Sequence, residues 1–297
     1  MNLVQRIMRK TGTHNLALIL VIMAMSLGMM IVSPYFLTPR NIEVILMGFV
    51  LEAIMAIGMT YVIISGGIDL SVSAVLPFAA SVVAFMLKAG WPIPLAIVVT
   101  LTLCMLIGFG NASMKNILDV HPFIATLATM LTVRGLALAM SSGANLSGFP
   151  EEFFVLGQGY FLGVPIPILI FIVLAVLLGV FLKKHRFFNQ VYFIGFDPRA
   201  AKVSGIKVER FFLFIFGLSS TLAGFAGIIA ASQYGAAHNS FAIGAELRVI
   251  TAVVIGGTSI VRGGSGSMFG TVLGVLFMAI VYNAFAMSGI NTYWQDI

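Results

Sequence analysis

Charged side chains are scarce in this sequence: 9% of its 297 residues carry a charge, against about 25% in a water-soluble domain. With 60% of residues apolar and a mean hydropathy of +1.09, water is excluded as the main solvent of the fold. Cysteine is scarcer still. Cys104 is alone and lies in an apolar stretch, so no intramolecular disulfide forms and the redox compartment is left open. No G-x-x-x-x-G-K-[ST] phosphate loop occurs, which removes that kind of ATP site from the chain. His14, His121, His185 and His238 show no H-E-x-x-H or other metal spacing, and no nucleophile elbow has a strand-turn-helix context. A metal site and an intramembrane enzyme are unsupported. The net charge of +6 has no soluble basic module to carry it, so nucleic acid is not the expected partner.

What is present is a series of apolar stretches, each near the ~20 residues that cross a bilayer as helix. They run over residues 15–33, 42–64, 70–87, 93–111, 121–141, 164–182, 210–231, 247–261 and 266–288. This predicts an all-α polytopic membrane bundle, one transmembrane domain over 1–297, with about nine spans. Arg6, Arg9 and Lys10 precede the first stretch, which is too long for a signal peptide and lacks an A-x-A-like cleavage site. The eighth stretch is short and holds Gly256 and Gly257, as expected of a broken or re-entrant helix whose irregular backbone is buried in protein.

With the N-terminus placed inside, alternation puts Arg6, Arg9, Lys10, Lys115, Lys183, Lys184, Arg186, Arg199, Lys202, Lys207, Arg210 and Arg262 on the inner side, twelve of the sixteen basic residues. Arg40, Lys88 and Arg248 fall outside, Arg134 falls within a span, and Glu151 and Glu152 sit in an outer loop. This is the positive-inside pattern of a multi-pass cytoplasmic-membrane protein. The ninth span then ends outside near Ser288. The amphipathic NTYWQDI ending suggests that a tenth span is missing.

Several residues carry candidate chemistry. Gly66 and Gly67 permit a tight non-helical turn before Asp69, which either caps the third span or belongs to the translocation path. Arg134 lies about 10 Å from the outer end of its helix. It either snorkels, pairs with Glu52, or meets substrate hydroxyls in a hydrated cavity. Gly266, Gly270 and Gly274 recur every fourth residue and mark a close helix contact, either within the chain or with a second copy. In the 183–210 loop, which carries seven basic residues, Asp197 and Pro198 begin a short helix through Arg199, Ala200 and Ala201 that Gly205 ends. Such a segment suits docking to a cytoplasmic protein or to acidic lipid.

Four stretches, AIGMTYVIISGGIDLSVSAV (56–75), HPFIATLATMLTVRGLA (121–137), DPRAAKVSGIKV (197–208) and AELRVITAVVIGGTSIVRGGSGSMFGT (245–271), resemble in this order the ribose, xylose and galactose type permeases of bacterial ABC importers, a group that includes autoinducer-2 permeases. The resemblance implies a dimerising permease of ten helices that binds no cofactor itself. Its partners would be an ATPase that uses ATP in the cytoplasm and an external binding protein that delivers the ligand, here a pentose or hexose. It also assigns Ala200, Ala201 and Gly205 to an EAA-type coupling segment; Glu246, Gly256 and Gly257 are candidates for the translocation path or gating. Ser73 and Arg248 depart from the family pattern, where glycine and an acidic residue are frequent. The rival reading is an ion-coupled secondary transporter with sites at broken helices; the chain lacks the series of intramembrane carboxylates that such coupling uses.

Overall fold

The computed structural model describes residues 3–261 and 263–289, with side chains from residue 12 onward. In chain order the elements are α1 (Leu3–Val32), α2 (Pro39–Ile64), α3 (Val72–Lys88), α4 (Ile93–Leu118), α5 (Pro122–Ser141), β1 (Leu146–Ser147), α6 (Glu151–Gln158), β2 (Tyr160–Phe161) and β3 (Val164–Pro165). They continue as α7 (Ile166–Lys184), α8 (Arg186–Phe196), α9 (Pro198–Val203), α10 (Val208–Tyr234), β4 (Ala236–Ala237), α11 (Ala245–Ile255) and α12 (Met268–Met287). Among the described residues seven helices are long and apolar enough to cross a membrane: α1 from Gly12 onward, α2, α4, α5, α7, α10 and α12. The protein is a nearly all-helical, multi-pass membrane protein.

The ends of these helices follow from local chemistry. Proline at the first turn of α2, α4, α5 and α7 sets φ where the missing N–H has no helical partner to lose. Thr38 caps α2 by accepting from the Asn41 N–H at 3.4 Å. α10 is the central post and packs against α4, α3 and α2; 72% of its most apolar window is buried, against 11% for α1 at the periphery. Lipid supplies no hydrophobic drive between helices, so contact depends on small residues that let backbones approach. A Cβ on Gly227 would overlap the Leu76 carbonyl, and one on Gly224 would strike the Cys104 side chain, which is wholly buried.

Two of the nine expected stretches have a different character. Residues 70–87 form the 17-residue α3. The eighth stretch holds only the 11-residue α11, about 16 Å of helix and too short to cross alone. Beyond Gly257, at φ +90°, the described residues are irregular as far as Ser267. It is held by protein, as a broken helix at membrane depth requires: the Gly264 N–H donates to the Ile64 carbonyl at 2.7 Å and the Ser259 N–H to the Ser265 carbonyl at 3.3 Å.

The sequence reading did not anticipate α6 or α8, nor the two-residue ladders that pair β1 antiparallel to β4 and β2 to β3. α8 divides the long inner loop. Its Tyr192 hydroxyl donates to the Gly266 carbonyl at 3.0 Å, and burial pushes that hydroxyl up to about 12, so it remains a donor at neutral pH. Arg248, expected in an outer segment, lies in α11. Arg262, the side chains of Arg6, Arg9 and Lys10, the NTYWQDI ending and the tenth span fall outside the described residues.

Candidate functional site

The 197–208 segment forms the short helix expected of it. Asp197 Oδ1 accepts from the Arg199 and Ala200 N–H groups at 2.8 and 3.0 Å, Pro198 takes the first helical position, and Gly205 ends the turn at φ +85°. Ala201 faces inward, 4% exposed, whereas Arg199, Ala200 and Lys202 face out. Val203 is 90% exposed, with Phe193 and Phe196 of α8 uncovered nearby in sequence. Lys202 pairs with Glu209 at the surface. Next to α9 lies a cavity of about 450 Å³ lined by Ser65, Gly66, Lys115, Asp119, His121 and Pro198 among others; Lys115 Nζ sits 3.7 Å from the centroid of the Phe212 ring. Gly66, at φ +83°, makes the tight turn the sequence implied. Gly67 packs on the Val62 carbonyl and the Phe216 ring.

Asp69 is wholly buried at the start of α3. The cap position itself belongs to Ser71, whose side chain makes no cap bond. Asp69 instead accepts two bonds at Oδ1, from the Ser71 N–H at 3.1 Å and the Ser71 hydroxyl at 2.5 Å, and one at Oδ2 from the Ser219 hydroxyl of α10 at 2.9 Å. The Asn111 amide of α4 donates to Ser71 Oγ at 2.9 Å, and Thr126 Oγ1 of α5 accepts from the Leu70 N–H at 3.2 Å. One buried knot therefore ties α3, α4, α5 and α10.

Arg134 does not pair with Glu52. Glu52 Oε1 is taken by Arg248 Nη2 at 3.2 Å. Arg134 Nη2 donates to the Ser73 carbonyl at 2.7 Å, for a reason that is legible in α3. Pro77, four residues on, has no N–H to give that carbonyl, and membrane helices resolve such a defect with donors from a neighbouring helix. Arg134 Nη1 also reaches the Asn239 carbonyl at 3.5 Å, and Glu246 is within electrostatic reach of the guanidinium. The Asn239 amide donates to Ser141 Oγ at 2.6 Å. Two buried acceptors remain without a hydrogen-bond partner in this cluster, Asn239 Oδ1 and Glu246 Oε2.

The small-residue stripe is partly revised. Gly266 precedes α12 and is not helical; it lies at φ +148° against Thr258. Gly270 and Gly274 do lie in α12, where added Cβ atoms would overlap the carbonyls of Gly256 and Ala252 in and just after α11. That contact is within the chain. Gly257 packs on the His14 ring, whose Nε2 lies 2.8 Å from the Ile255 carbonyl. Sequence reasoning missed Ser71, Asn111, Ser219 and Asn239, since a lone serine or asparagine in an apolar run names no partner. The Ser73–Pro77 spacing was a usable signal for Arg134.

A family model described as "Branched-chain amino acid transport system / permease component" matches residues 41–297. The chain is 38% identical over 291 residues to the ribose import permease protein RbsC of Bacillus subtilis (strain 168), covering 97% of this chain and 88% of that one. It is 35% identical over 286 residues to the ribose import permease protein RbsC of Haemophilus influenzae, covering 95% and 87%. Against the xylose transport system permease protein XylH of the same organism, identity is 32% over 325 aligned positions, covering 88% and 86%. No solved structure matches. The apolar helices, the buried inter-helix polar contacts and these likenesses agree, and the chain belongs to the permease-component family of membrane transport systems.

Proposed function

We propose that this permease carries a small neutral sugar, a pentose or hexose, across the bacterial cytoplasmic membrane with its N-terminus inside. A separate ATPase drives it, and an extracytoplasmic binding protein delivers the ligand. The observation that carries the substrate class is the pair of buried, unpartnered acceptors, Asn239 Oδ1 and Glu246 Oε2, beside Arg134 on α5. Unpaired buried acceptors cost about 1–3 kcal/mol each, and sugar hydroxyls are donors that satisfy them. The relatives named for ribose and xylose support the same class.

ATPase docking falls to α9 and the uncovered Val203, Phe193 and Phe196. An exposed apolar patch rimmed by Arg199 and Lys202 suits a protein contact. The chain acts without an ATP-hydrolysing site or bound cofactor of its own, and a second permease copy completes the pore.

A second reading follows from the family description: a zwitterionic branched-chain amino acid, with Glu246 and Arg134 as opposite charges. Uptake into proteoliposomes containing the permease, its ATPase and its binding protein separates the two. Labelled ribose, xylose, arabinose and galactose are compared with labelled leucine. ATP-dependent accumulation of a sugar is expected. Accumulation of leucine alone overturns the sugar reading, and accumulation driven by an ion gradient without ATP overturns the ATP-driven one.

A further inference from the structure

A groove of about 1160 Å³ opens between α7, the start of α12 and the α8–α9 connection. It exceeds the ~300–1,000 Å³ of most small-molecule pockets, and its walls suit hydrocarbon: Phe171, Ala175, Val176 and Val180 on α7 face Met268 and Val272 on α12. α7 spans 19 residues, about 28 Å of helix and close to the thickness of the hydrocarbon layer. Its last residues, Lys183 and Lys184, therefore lie at headgroup level. Both line one end of the groove, together with Asn189. Among the described residues the opposing charge in the groove is Asp197, whose Oδ1 accepts from the α9 N–H groups. Asn15 of α1 also lines the groove, and its Oδ1 is buried without a hydrogen-bond partner. An apolar trough thus ends in two ammonium groups and an unsatisfied acceptor.

We infer that this groove is a binding site for an anionic glycerophospholipid with hydroxyl groups in its head. The acyl chains lie along α7 and α12, the phosphate meets Lys183 and Lys184, and a headgroup hydroxyl donates to Asn15 Oδ1. Paired cations where an inter-helix crevice meets the headgroup layer attract acidic lipid. Ala200, Ala201 and Ser204 form part of the same lining, so the lipid touches the helix assigned above to ATPase docking. The site stands whatever substrate the permease carries.

The test uses the full-length permease with its ATPase, analysed by native mass spectrometry after exposure to dioleoyl phosphatidylglycerol or dioleoyl phosphatidylcholine. Each lysine is worth about fivefold in retention of an acidic lipid. Wild type is expected to keep phosphatidylglycerol in preference to phosphatidylcholine, and Lys183→Gln/Lys184→Gln to lose about twenty-five-fold. Val176 is 61% exposed, so Val176→Trp is expected to fold and to weaken lipid retention by narrowing the trough. Equal retention of the two lipids by wild type, or undiminished retention by the double-lysine variant, overturns the proposal. A Val176→Cys variant keeps the background low, because native Cys104 is buried. If it crosslinks two permeases in high yield, the groove is filled by a second copy and the lipid site is wrong.

Discussion

Two carboxylates in this molecule live in opposite circumstances. Asp69 has both oxygens engaged, by Ser71 and by Ser219, and those bonds draw α3 and α10 together. Glu246, on the short α11, keeps a buried oxygen without a partner, as Asn239 does at Oδ1. Burial alone does not separate structure from function; satisfaction does. A carboxylate with both oxygens bonded specifies one helix arrangement, while an acceptor left without a partner is either a cost or a place for a ligand.

The comparison breaks most severely at Asp69. Asp69→Ala strands the Ser71 and Ser219 donors at about 1–3 kcal/mol each. A large fall in the yield of folded protein and in the detergent melting temperature is expected in size-exclusion and thermal-shift measurements. An Asp69→Ala protein that melts like wild type would show that the knot holds nothing. At the unsaturated site the expectation is reversed. Glu246→Gln should fold normally and lose about tenfold in uptake, the worth of a single hydrogen bond of roughly 1.4 kcal/mol, while Asn239→Ala should lose uptake and a little stability, because its amide also donates to Ser141 Oγ; loss of folding in place of transport would make this cluster structural too.

Arg134 touches both worlds, and a double-mutant cycle sorts them. Arg134→Gln should destabilise by about 1–3 kcal/mol by orphaning the Ser73 carbonyl. Pro77→Ala supplies the missing N–H, so the double variant should recover most of that loss. Additive losses would remove the carbonyl explanation. At α9, Gly205→Val forces a β-branched residue to φ +85° and is expected to lower coupled transport severalfold, while leaving membrane insertion intact. ATP hydrolysis and uptake measured together will report it. The smallest effect belongs to Lys202→Ala at the exposed Lys202–Glu209 pair, at most about 1 kcal/mol in thermal stability.

Much of this was legible without coordinates. The helix-forming stretches and the turn at Gly66 follow from apolar length and from glycine's freedom at positive φ. The Asp197–Gly205 helix follows from an N-cap, a first-turn proline and a terminal glycine. These are properties of contiguous residues. The membrane fold and the family likewise follow from composition and from ordered motifs.

Contacts between distant segments were not legible in this way. The sequence offered Arg134 as the partner of Glu52, but packing assigned Glu52 to Arg248 while Pro77 drew Arg134 to Ser73. Gly266, Gly270 and Gly274 look equivalent by spacing, yet Gly266 precedes the helix that holds the other two. Asp69 was visible as a suspect, but whether its oxygens are free depends on Ser219, 150 residues away. The sequence by itself determined where the long apolar helices run and that lipid surrounds them, because hydropathy and backbone preference act over a few residues. Only the tertiary structure decided which buried polar groups are satisfied, because a hydrogen bond is settled by angstrom-scale placement of partners that the sequence keeps far apart.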